Sequence, residues 1–136
     1  MSDSYNNSAN IYVINNTGGN AIISFSHEYS DDGVQVWPAG GPVITAPGAS
    51  AGPLVAGHNT GVFRSGNDYW YCRVQVLDGP NAGTYQTEGT LQQPSKQCTM
   101  DSDDSGASLY FTVSTSSFYM FEQSGACSTG MSTVNS

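Results

Sequence analysis

The segment Asp101-Ser102-Asp103-Asp104-Ser105-Gly106 sets oxygen-bearing side chains at alternate positions with a glycine at the sixth, the pattern of the first half of a calcium loop. Asp101, Asp103 and Ser105 are therefore the metal-ligand candidates. The second half of the loop is missing, because Thr112 stands where a bidentate glutamate is needed and Ser108 to Val113 alternates like a strand. An acidic turn between strands is the plainer reading, and calcium is the only cofactor left open. His27-Glu28 and His58-Asn59 are the histidine neighbourhoods. Adjacent strand residues point to opposite faces, so neither forms a dyad, and both histidines are expected at the surface. Cys72, Cys98 and Cys127 have no zinc-like spacing with one another or with the histidines. With no nucleophile elbow or phosphate loop either, the sequence predicts a protein that is not an enzyme.

Recognition chemistry is better represented. In Asp68 to Leu77, alternation puts Trp70, Cys72, Val74 and Val76 on one face and Tyr69, Tyr71, Arg73 and Gln75 on the other. The first set suits a core, and the second reads as a solvent-facing row of aromatic, amide and guanidinium groups. Tyr12, Tyr85 and Tyr110 extend the list of exposed aromatics, and Trp37, preceding Pro38, is expected on a loop tip. Trp37, Tyr69, Tyr71, Arg73, Tyr85 and Tyr110 are thus the ligand-binding candidates. Tyr and Trp suit both sugar stacking and the bilayer interface, because each joins an apolar ring to a polar edge. Cross-strand packing is the competing explanation for such rings.

The elements that must position these residues are short strands. Charged residues make up only 10% of the chain while Gly, Ser, Asn and Thr abound, which lowers helix propensity nearly everywhere. Ile11 to Ile14 and Ala21 to His27, separated by Asn15-Asn16-Thr17-Gly18-Gly19-Asn20, read as an N-terminal hairpin. Val34 to Trp37 follows the Asp31-Asp32-Gly33 turn, and the prolines between Pro38 and Pro53 limit Val43-Ile44-Thr45 to an edge strand. Leu54-Val55-Ala56 is expected to pair briefly, and Thr84 to Thr87 returns after Asp78-Gly79-Pro80. Leu109, Phe111 and Val113 share a core-facing side, whereas Phe118 to Phe121 is too continuously apolar to assign a face. The 136 residues form one all-β domain, a single-domain antiparallel β-sandwich over residues 11–124, between a flexible tail at 1–10 and a polar C-terminal tail at 125–136.

Charge and cysteine content narrow the partners. Eleven carboxylates against Arg64, Arg73 and Lys96 give a net charge of -8, so nucleic acid would be repelled and anionic lipid would find no polybasic patch. Neutral lipids and sugars remain. No apolar run approaches the length of a transmembrane helix and no apolar leader follows Met1, which predicts a cytoplasmic protein or one secreted by a route without a signal peptide. Three cysteines leave at least one unpaired within the chain. Cys72 reads as a small buried hydrophobe, and a bond between Cys98 and Cys127 is open under oxidising conditions.

Four short stretches carry a family likeness: Ile11 to Ile23, Ile44-Thr45-Ala46-Pro47-Gly48, Asn59-Thr60-Gly61-Val62-Phe63 and Tyr69-Trp70-Tyr71-Cys72. On these the chain resembles the aegerolysins, small acidic β-sandwich proteins without a signal peptide, and the last looks like that family's tyrosine-tryptophan-any-cysteine signature. The family usually has proline after the cysteine, where this chain has Arg73. The resemblance implies binding of specialised, sphingolipid-rich membranes, often with a larger pore-forming protein partner, with Trp37, Tyr69 and Tyr71 in the contact. The leading expectation is non-enzymatic recognition of a membrane lipid or lipid-like surface ligand through exposed aromatics. A carbohydrate-binding lectin, with calcium at Asp101 and Asp103, is the alternative, and a self-assembling homo-oligomeric β-protein is the third reading.

Overall fold

The computed structural model describes residues 7–29, 33–58, 67–98, 106–122 and 125–134, and these contain strands, turns and no helix. Five strands build one sheet: β1 (Asn7–Asn15), β5 (Ser50–His58), β9 (Ser108–Val113), β10 (Ser117–Glu122) and β11 (Gly125–Gly130), in the order β11-β10-β9-β1-β5. The second sheet holds β2 (Ala21–Tyr29), β3 (Gly33–Trp37), β6 (Asp68–Val76), β7 (Gly83–Gln86) and β12 (Ser132–Thr133) in the order β12-β7-β6-β2-β3. Two short strands attach to it, β4 (Ile44–Thr45) on β2 and β8 (Lys96–Gln97) on β6. The all-β expectation therefore holds.

The apolar sides of both sheets contribute to one core. Ile23 and Phe25 of β2 and Trp70, Cys72, Val74 and Val76 of β6 meet Ile11 and Val13 of β1, Leu109, Phe111 and Val113 of β9, and Phe118 and Met120 of β10. Trp70 stands edge-on to Phe111 with centroids 5.0 Å apart, and Phe111 meets Phe118 in the same way at 5.8 Å. The period-2 pattern produces this directly, since one face of each strand is apolar and must leave water.

The pairing departs from the sequence reading in three places. The expected N-terminal hairpin is not formed: β1 pairs with β5 and β9, and β2 pairs with β3, β4 and β6, so the chain crosses from one sheet to the other between them. Asn15 shapes that crossing, its Nδ2 donating to the carbonyls of Gly19 at 2.9 Å and Thr45 at 2.8 Å. Gly19 is required there, because a Cβ would stand 2.2 Å from the Asp78 carbonyl oxygen. Nor is the architecture purely antiparallel, for β1 and β9 run parallel with Tyr12 opposite Tyr110. A parallel pair needs a long crossover, and here the intervening chain, which contains β5 and every strand of the second sheet except β12, supplies it.

The third departure concerns the ends. β1 begins at Asn7, inside the expected tail of residues 1–10, and the expected polar tail from 125 onward carries β11 and β12. Pairing with β10 and a disulfide from Cys127 to Cys98 hold the polar C-terminal strand, which has little apolar surface of its own. β5 also runs longer than the brief pairing expected of Leu54 to Ala56. It tolerates Pro53 through a bulge at Gly52, whose φ of 129° and whose missing Cβ, 2.6 Å from the Ile11 carbonyl oxygen, both require glycine.

A candidate ligand face on the five-stranded sheet

On β1, β9 and β10 the residues alternate with the core set and point away from it. Tyr12 and Tyr110 sit opposite each other across the parallel ladder and stack, with centroids 4.9 Å apart and ring planes 12° from parallel. That separation matches the spacing of neighbouring strands, so the rings stand up from the sheet and turn their edges outward. On β10, Tyr119 and Phe121 lie two residues apart on the same side, at 6.4 Å and 22°. Tyr110 is 47% exposed, Tyr119 43% and Phe121 52%, with Val55 of the edge strand β5 at 54%.

The remaining outward positions of this sheet are Ser8, Asn10, Ile14, Ser50, Pro53, Gly57, Ser108, Thr112, Ser117, Ala126, Ser128 and Gly130, so no charged side chain occupies its outward face among the described residues. In a chain of net charge -8 this leaves a neutral surface of rings and hydroxyls. Scattered exposed apolar residues are ordinary, but a contiguous set is the usual mark of an interaction site. Such a face can bury aromatic area against a partner while the tyrosine hydroxyls keep hydrogen-bonding.

The structure distributes the six sequence-derived candidates over three surfaces. Tyr110 belongs to the face just described. Trp37 and Tyr85 lie on the core side of the second sheet, half-buried at its margins, which corrects the expectation of exposed rings. Trp37, opposite Phe25 with centroids 5.7 Å apart, ends a strand rather than tipping a loop. Tyr85, opposite Val74, donates its hydroxyl to the Asn81 carbonyl at 2.8 Å. Tyr69, Tyr71 and Arg73 do share the outward side of β6, yet Tyr71 is only 3% exposed. Its hydroxyl donates to Gln86 Oε1 at 2.7 Å, and burial raises its pKa, with the Arg73 charge opposing that shift and Cys72 adding to it. The chain from Thr87 to Pro94 folds back near this side, which the alternation of β6 alone could not reveal. Tyr69 remains half-buried and Arg73 exposed.

The calcium candidates Asp101, Asp103 and Ser105 lie outside the described residues. His27, expected at the surface, is instead fully buried: Nε2 is 2.5 Å from Asp68 Oδ1, Nδ1 is 2.6 Å from Gln35 Oε1, and the ring packs on Trp70 at 4.5 Å. Both ring nitrogens are engaged, so the pair bridges β2 to β6 and β3. Cys98 and Cys127 are bonded and Cys72 is a buried free thiol, as the sequence allowed.

Sequence reasoning missed Tyr119 and Phe121. The β10 run Phe118-Tyr119-Met120-Phe121 is apolar at every position, so periodicity had no face to choose. The register with β9, which sets Phe118 opposite Val113, decides that Phe118 and Met120 enter the core.

Fold and face together define an all-β protein of two sheets that presents an uncharged aromatic surface. Compared with known proteins, the chain matches no protein-family model and no curated protein sequence.

Proposed function

We propose that the protein is a non-enzymatic recognition module whose ligand is an electrically neutral lipid surface, met by Tyr12, Tyr110, Tyr119, Phe121 and Val55. The stack of Tyr12 on Tyr110 carries this reading. Sugar stacking uses the flat face of a ring, and here each ring covers a face of the other, leaving hydroxyl-bearing edges outward. Apolar bodies with polar edges suit the bilayer interface, where Tyr and Trp concentrate. The gap between Tyr119 and Phe121, 6.4 Å between centroids, is also too narrow for a third ring to enter. The absence of charge on the face and the net charge of -8 both favour zwitterionic over anionic headgroups. The aegerolysin resemblance points to the same ligand class, now with a different set of aromatics in the contact. The Cys98–Cys127 bond favours a location where thiols oxidise.

Flotation with phosphatidylcholine vesicles and with vesicles containing phosphatidylserine tests the reading. Binding to the first and weaker binding to the second is expected. Tyr110→Ser and Phe121→Ser should each weaken binding about tenfold, the equivalent of roughly 1.4 kcal/mol for a half-exposed ring returned to water. Undiminished binding by both variants, or no vesicle binding together with a response on a glycan array, overturns it. Concentration-dependent assembly abolished by the same two variants would assign the face to a second copy of the chain instead.

A further inference from the structure

The outward side of the second sheet holds a separate, mostly apolar cleft of about 220 Å³. Ile22 and Ser24 of β2 and Val36 of β3 form its floor, and Pro38, Pro42 and Leu91 its walls. Leu91 comes from the segment between β7 and β8, so the cleft exists only because that segment reaches across the sheet toward β2. Its size is below the roughly 300–1,000 Å³ of clefts that enclose drug-sized molecules, which limits the occupant to a short acyl chain or a single ring.

Ser24 is the one polar side chain among the lining residues. Ser24 pairs across the ladder with Arg73, an exposed guanidinium on the same outward side of the sheet. Strands are about 4.8 Å apart, so an arginine side chain on β6 reaches the β2 side of the cleft without backbone movement. Ser26, the next outward residue of β2, pairs with the cleft residue Val36 and has a fully buried hydroxyl with no hydrogen-bond partner. An apolar slot lined by one hydroxyl, Ser24, with a guanidinium across the ladder from it, is complementary to a molecule with an apolar tail and a planar anionic head. The guanidinium fork matches a carboxylate in two parallel hydrogen bonds.

We infer that this cleft is a binding site for a small amphipathic carboxylate, its tail against Ile22, Val36 and Leu91 and its head on Arg73 beside Ser24. The site stands apart from the aromatic face and does not depend on the lipid reading.

Backbone amide chemical-shift titration with octanoate and, in parallel, octanol tests it. Octanoate should move the amides of Ser24, Val36 and Leu91 and bind roughly fivefold more tightly than octanol, the upper end for an exposed ion pair. Arg73→Gln should bring octanoate to the affinity of octanol, and Leu91→Ser should weaken both ligands. Equal affinity of the two ligands for the unaltered protein, an Arg73→Gln variant that keeps the preference, or shifts confined to Tyr110, Tyr119 and their neighbours would each overturn the assignment. The last result would place octanoate on the aromatic face and speak for the lipid reading alone.

Discussion

His27 and Asp68, 41 residues apart in the chain, meet with Nε2 2.5 Å from Oδ1 while both side chains are 0% exposed. Deleting one partner leaves the other in the core without this bond. His27→Ala and Asp68→Ala should each destabilise by about 3–5 kcal/mol, read from urea unfolding. Replacing both by leucine should cost less than the sum of the two single changes, because neither polar group is then left behind.

The Cys98–Cys127 bond spans 29 residues and fastens β11, at the edge of the five-stranded sheet, to the chain beside Trp70. Trp70 Nε1 donates to the Cys98 carbonyl at 2.9 Å, so the bond also anchors the ring that joins the sheets. Loop-closure entropy for this length predicts a loss of about 3–4 kcal/mol in Cys127→Ser. Thermal unfolding should fall by about 10–15 °C, with the same shift in the unaltered protein under reductant.

Cys72 is buried without a bond partner, and burial pushes its thiol well above the ordinary range. A small aromatic disulfide reagent should therefore leave the native protein unmodified and titrate one thiol after unfolding in denaturant. Above the ordinary thiol pKa the unfolded chain releases this proton and the native chain keeps it. Stability should consequently decline with rising pH there, and Cys72→Ala should lessen the decline.

Asp78 accepts from Asn20 twice, from Nδ2 at 2.9 Å and from the backbone N–H at 2.8 Å. The side-chain bond, then the backbone bond, holds its carboxyl below the usual carboxylate range. A depressed folded-state pKa contributes stability above the unfolded-state value, lost as the pH falls through the folded one. Melting temperatures of the unaltered protein and Asp78→Asn should differ at neutral pH and converge in acid.

Legibility varied along the chain for a physical reason. β6 could be read because its alternation is local: Trp70, Cys72, Val74 and Val76 enter the core as their spacing requires. The same pattern led to Tyr71 as an exposed ring, and failed there because that side chain is buried with its hydroxyl on Gln86 of the neighbouring strand β7, a partner fifteen residues later in the chain. For His27, the pattern shows only that Glu28 points the other way. It carries no sign of Asp68, which reaches His27 through the β2–β6 register. Tyr12 and Tyr110 were both identifiable as exposed aromatics, whereas their stacking depended on a parallel pairing between strands distant in the chain.

Its sequence alone makes the protein all-β and strongly acidic and sets which apolar residues of β6 and β9 enter the core. Those properties follow from composition and from nearest-neighbour alternation. Tertiary structure decided which sheet each strand joined, how Cys98 reached Cys127, and where the exposed aromatics gathered. Each of these depends on pairing between segments distant in the chain, and a strand's own residues state which side is apolar without stating what will cover the other.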